Sequence, residues 1–98
     1  LEQILRNIFP HIKPDALEQF CGLFLDLQLK AKNGEISTKA VDMRGLIGAI
    51  RLIHGGLEPI EAVEMGIINK SFDNFERELI SDIVMTRIPD TWKSGDVF

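Results

Sequence analysis

An all-α, compact bundle of about five helices is the fold this chain predicts, and three observations predict it. Apolar residues recur at helical spacing in five stretches, each stretch is bounded by Pro, Gly or a capping side chain, and no run alternates apolar and polar residues with the two-residue period of a strand. At 98 residues the chain reads as one helical domain, large enough to bury a core without disulfides or a metal.

The first helix follows from Leu1, Ile4, Leu5 and Ile8, and Pro10 closes it. The second restarts at Pro14, whose missing N–H costs nothing in a first turn, with Asp15 and Glu18 at the positive end of the helix dipole. Leu17, Phe20, Cys21, Phe24, Leu27 and Ala31 share its apolar face; Gln19, Gly22 and Asp26 lie opposite. Asn33 and Gly34 end it, because both tolerate the left-handed backbone common just past a helix.

A third helix is expected from about Thr38 to His54, opened by Ser37 or Thr38 as a cap and closed by Gly55 and Gly56. Met43, Leu46, Ile47, Ile50 and Ile53 form its main stripe, with Val41, Gly45, Gly48 and Leu52 on a second face where small residues admit a neighbouring backbone. It should be the central element. Pro59 starts a fourth helix that buries Ile60, Val63 and Ile67 and ends near Asn69. Asp73 and Glu76 have the spacing of a capping box for a fifth, which turns Leu79, Ile80, Ile83 and Val84 inward until Pro89. The tail 89–98 has no period, and Trp92 is its one residue expected to pack back.

Composition narrows the function. A formal charge of -4 argues against a nucleic-acid surface, which needs gathered Lys and Arg. It also disfavours a helix-turn-helix reader built on the Leu- and Ile-rich third helix. No apolar run approaches the roughly 20 residues of a membrane span. Cys21 is the single cysteine, so an internal disulfide is excluded and a reducing, cytoplasmic setting is the simpler reading. Leu1 in place of a Met suggests a domain taken from a longer chain.

Candidate chemistry is sparse. His11 and His54 are far apart and share no metal-ligand spacing with Cys21 or a carboxylate pair, so neither a catalytic residue nor a metal site is assigned. Asp26, Asp42, Glu58, Glu61 and Glu64 read as solvated faces, and no Gly-rich phosphate loop is present. Lys39 stands apart. On a helix beginning at Thr38 it lies within about 20° of the Met43–Leu46–Ile50 stripe, a cation in line with a core face at a helix start whose dipole disfavours it. Arg44 lies about 140° around from Lys39, near Arg51, where ion pairing with the second or fourth helix is its expected role.

The segment "GEISTKA", the apolar helix after it and "GGLEPIEAVEMGIINKSFDNFERELI" together resemble the C-terminal helical lid subdomain of AAA+ ATPases, in the MoxR-like branch. The resemblance runs from about Ile12 to Ile88. In that family a Ser-x-Arg-Ala segment opens a lid helix and its arginine, sensor two, points at the terminal phosphate of the nucleotide. Ser37, Lys39 and Ala40 stand in the matching places, with Lys where the family has Arg. The resemblance implies a nucleotide-binding role for Lys39, or for Arg44 in its stead, within a longer parent that binds ATP and Mg and works as a chaperone-like ring. The lid would meet its own ATPase core, neighbouring subunits and a client protein. Nothing of the ATPase core stands in these 98 residues, so the piece alone would be inactive. The alternative is a freestanding helical interaction module that binds a partner helix through Gly45 and Gly48.

Overall fold

The computed structural model describes residues 1–38, 41–70 and 73–98. Among them are five α-helices and no strand: α1 (Glu2–Ile8), α2 (Pro14–Lys32), α3 (Met43–His54), α4 (Pro59–Gly66) and α5 (Asn74–Arg87), with short 3₁₀ turns at Ile68–Lys70 and Ser94–Asp96. The all-α bundle is the observed fold. α3 packs on α4 and on α2, while α2 also carries α1 and α5.

Local sequence sets most of the boundaries. Pro14 and Pro59 occupy the first turns of α2 and α4. Gly34 and Gly56 have φ of 77° and 111°, a backbone that disfavours any side chain. Each follows a helix in a Schellman arrangement. After α2, the N–H groups of Gly34 and Glu35 donate to the carbonyls of Ala31 and Lys30; after α3, those of Gly56 and Leu57 donate to Ile53 and Leu52. Asp73 caps α5 by accepting the Phe75 N–H at 3.0 Å.

The start of α3 is a correction. The helix begins at Met43, not near Thr38, and its cap is Asp42, whose Oδ1 accepts the Arg44 N–H at 3.0 Å. A carboxylate at the positive end of a helix dipole is a better cap than a hydroxyl followed by a lysine. Asp42 is therefore a structural cap and not a solvated acid.

The core is one cluster in which Phe20, Leu23 and Leu27 of α2 meet Leu46, Ile50 and Ile53 of α3, Val63 of α4 and Ile80 and Val84 of α5. No polar or charged side chain is buried among the described residues. Many expected core positions are found there, while Cys21, Ala31, Met43, Ile47, Ile60, Leu79 and Ile83 pack against it only partly buried. Only Leu5 of α1 is fully buried, Ile4 and Ile8 being partly exposed; Ala16 and Leu23 join the core of α2; and Val97, in the tail that showed no period, is completely enclosed.

That enclosure explains how the tail is held. The Lys13 N–H donates to the Val97 carbonyl at 2.7 Å, the Lys13 ammonium donates to the Gly95 carbonyl, and Lys93 Nζ meets Glu58 Oε1 at 2.5 Å. Trp92 is half-buried against the core as expected, and Phe98 packs edge-on to Phe9 with ring centroids 5.9 Å apart.

Candidate functional site

The segment between α2 and α3 carries Lys39, and Arg44 follows just inside α3. The segment leaves α2 through the Gly34 turn, with Lys30 Nζ 3.2 Å from Glu35 Oε2. Ile36, 5% exposed, anchors it in the core. The Ser37 N–H then donates to Glu76 Oε1 at 3.1 Å, tying the loop to the first turn of α5. Glu76, expected to complete a capping box, thus reaches across the fold to a residue 39 positions away. The Val41 N–H donates to the Thr38 carbonyl at 3.1 Å before Asp42 opens α3.

Lys39 and Ala40 lie outside the described residues. α3 itself begins at Met43, four positions beyond Lys39 in the chain. Arg44 is the second residue of α3 and is exposed. Its guanidinium makes no ion pair with α2 or α4 among the described residues, contrary to expectation. It stands at the edge of the same loop, beside the Asp42 carboxylate that caps its own N–H.

The small-residue face of α3 also differs from its reading. An added Cβ at Gly66 would lie 2.6 Å from the Gly45 carbonyl oxygen and 3.1 Å from the Ala49 Cβ, so α4 crosses α3 with backbone nearly touching backbone. Gly48 has nothing within 4 Å of an added Cβ and faces open space. The close approach uses Gly45 and Ala49 against Gly66, and Gly48 has no part in it.

Two histidines that the sequence keeps apart come together. His11, Arg51 and His54 border a cleft of about 330 Å³ with Phe9, Pro10 and Phe98. The His54 ring lies 4.6 Å from that of Phe98, tilted by 44°. A second hollow of about 370 Å³ runs between α1 and α2 past Glu2, Arg6, Glu18 and Cys21. Burial there pushes the Cys21 thiol above its ordinary value, and the Glu2 carboxylate adds to the effect, so the thiol is a poor nucleophile. Among the described residues, no three His, Cys, Asp or Glu side chains gather as metal ligands would.

Fold and loop together define a small all-α domain whose polar features cluster at the helix ends. No protein-family description matches the chain and no solved structure matches it. It is similar to the "Uncharacterized protein YojN" of Bacillus subtilis (strain 168), with 30% identity over 86 residues, covering 88% of this chain and 28% of that protein. The chain thus spans little more than a quarter of that relative's length. No described helix is long and apolar enough to cross a membrane.

Proposed function

We propose that this chain is the C-terminal lid of a MoxR-like AAA+ ATPase, a cytoplasmic chaperone-like machine, and that it couples the nucleotide state of the parent to the position of a helical bundle. The observation that carries the reading is the sequence Ser37–Lys39–Ala40, which resembles the sensor-two pattern with Lys in the Arg place and precedes the apolar helix α3 in the chain. Two features support it. The loop is moored at both sides of that segment, by Ile36 and the Ser37–Glu76 bond before it and by the Asp42 cap after it. The relative is also more than three times longer than the matched region, leaving room there for a further domain.

In this reading Lys39 supplies a point charge to the terminal phosphate of an ATP held, with Mg, by the parent's core. Lysine cannot form arginine's two-pronged contact. Arg44, exposed at the same end of α3, is the second candidate. Neighbouring subunits of the ring and a client protein would meet the other faces of the lid. Docking of a freestanding module through Gly45 and Gly48 is less well supported, since α4 of the same chain already lies on Gly45.

Steady-state ATP turnover by the full-length parent is the test. Lys39→Ala should lower it roughly ten- to a thousandfold, the range for losing one electrostatic stabiliser of a charged transition state, and Lys39→Arg should preserve or raise it. Loss of turnover in Arg44→Ala with none in Lys39→Ala would move the role to Arg44. Normal turnover in both variants would overturn the nucleotide-contact reading. The 98-residue chain alone should hydrolyse no ATP.

A further inference from the structure

Asn33 and Gly34 form the one Asn–Gly pair in the sequence, and the pair stands just past the end of α2. Glycine has no side chain to hinder its own backbone nitrogen, so that nitrogen can attack the side-chain carbonyl carbon of a preceding Asn and close a five-membered ring. Both residues are exposed, and nothing lies within 4 Å of a Cβ built on Gly34, which leaves space for water and for the ring. The folded backbone opposes the attack in two ways. Ring closure needs the Asn33 Cβ and the Gly34 nitrogen nearly eclipsed about the Cα–C bond. Asn33 has φ -80° and ψ -1°, and tetrahedral geometry at Cα then sets those atoms about a third of a turn apart. The Gly34 N–H also donates to the Ala31 carbonyl at 3.0 Å, and the Glu35 N–H to the Lys30 carbonyl at 3.0 Å.

We propose that Asn33 is a self-modification site, converted by water to an aspartyl or isoaspartyl residue at a rate set by opening of the last turn of α2. Helix ends open locally at small cost in free energy. In the open turn the Gly34 nitrogen gives its proton to hydroxide and bonds to Asn33 Cγ, and the side-chain nitrogen takes a proton from water and leaves as ammonia. The product is a cyclic imide. Water then adds to either imide carbonyl, and the C–N bond broken there decides whether the main chain continues through the α- or the side-chain carboxyl. Either product places a new carboxylate at the negative end of the α2 dipole, two positions from Glu35, which pairs with Lys30 at 3.2 Å. The isoaspartyl product also lengthens the main chain by one carbon, so the paired bonds to Ala31 and Lys30 cannot both re-form. The change falls just before Ile36 and the Ser37–Glu76 bond, which hold the following loop on the core.

Timed incubation of the intact chain at pH 8, folded and in denaturing guanidinium, tests the proposal. Peptide mapping by mass spectrometry, with isoaspartyl methyltransferase labelling, reads the conversion at each asparagine. Asn33 should convert well ahead of Asn7, Asn69 and Asn74 in both samples, and about tenfold or more slowly in the folded chain than in the denatured one. Ala31→Gly weakens the last turn of α2 and leaves the reacting pair untouched. It should raise the folded-chain rate several-fold and leave the denatured rate unchanged. No conversion of Asn33 in the folded chain, equal rates in the two samples, an unchanged folded rate in Ala31→Gly, or earlier conversion of another asparagine would each overturn the assignment.

Discussion

The α3–α4 and α2–α5 contacts solve the same problem in opposite ways. Where α4 crosses α3, glycine lets two backbones approach until the Gly66 position almost touches the Gly45 carbonyl. Where α5 meets α2, glycine makes room for a side chain. Arg87 lays its guanidinium over Gly22 and binds Asp26 through Nε–Oδ2 at 2.8 Å and Nη2–Oδ1 at 3.4 Å. The first contact cannot yield without moving a helix; the second can yield by rotating one flexible side chain. Two helical glycines, each with an atom 2.6 Å from an added Cβ, should therefore respond very differently to substitution.

Gly66→Ala is the strongest test. Its methyl would meet backbone at 2.6 Å, and relief requires α3 and α4 to part. Alanine's better helix propensity, at most about 1 kcal/mol, offsets only part of an overpacking cost of about 1–3 kcal/mol or more. A fall in Tm of roughly 4–8 °C per kcal/mol of net loss is expected by circular dichroism. An unchanged Tm would mean that the helices separate freely, and the contrast would fail.

Breaking the Asp26–Arg87 pair should cost less. Its side chains are 30% and 34% exposed, so solvent screens the attraction, and Arg87→Ala should lower Tm by clearly less than Gly66→Ala does, part of the loss being packing over Gly22. The Asp26 carboxylate raises the Arg87 guanidinium above its ordinary value, by hydrogen bonding first and charge second. For a cation so raised, stability is fully present at lower pH and lost only as pH climbs through the folded value. The guanidinium therefore remains charged well into strong alkali, and denaturant melts at pH 7 and pH 10 should show the same difference between wild type and Arg87→Ala.

The other flank of α2 sharpens the comparison with a rate. Cys21 borders the hollow between α1 and α2, and its raised thiol holds little thiolate near neutrality. Iodoacetamide at pH 8 should alkylate it several-fold more slowly than a free cysteine peptide, and Glu2→Gln should recover a small part of the rate. Alkylation faster than the peptide would reveal an activated thiol and contradict the packing of α1 on this flank.

The contrast also explains what the sequence could announce. Signals acting within a few residues, such as Pro14, Pro59, Gly34, Gly56 and Asp73, placed most helix ends because the backbone geometry they demand is local. The start of α3 was misplaced because Ser37 and Thr38 imitate a cap and Val41 extends the apolar period, while the carboxylate that forms the cap stands five positions beyond Ser37. Contacts between distant segments carried no periodic trace. Arg87 is 61 positions from Asp26, Val97 stands in a tail with no helical period, and His11, His54 and Phe98 meet only because three chain segments converge. Of the nucleotide-contact candidates, Arg44 is placed at an exposed helix start, and Lys39 lies outside the described residues.

Gly22→Ala is the smallest expected effect and the one that divides the two contacts most cleanly. The added methyl would lie 2.6 Å from Arg87 Cζ and Nη1, as close as Gly66's would be to backbone. Here the obstacle is the end of a side chain on the protein's surface. Moving it forfeits a solvent-screened ion pair of small worth, while replacing Gly in the interior of α2 by Ala returns about 1 kcal/mol by restricting the unfolded chain and improving the helix. The two oppose each other, so Tm should change by no more than a few degrees in either direction. In a double mutant with Arg87→Ala the methyl should become plainly stabilising, because the group it displaced is gone. If Gly22→Ala destabilises as strongly as Gly66→Ala in both backgrounds, α5 approaches α2 by backbone after all, and the guanidinium does not govern that contact.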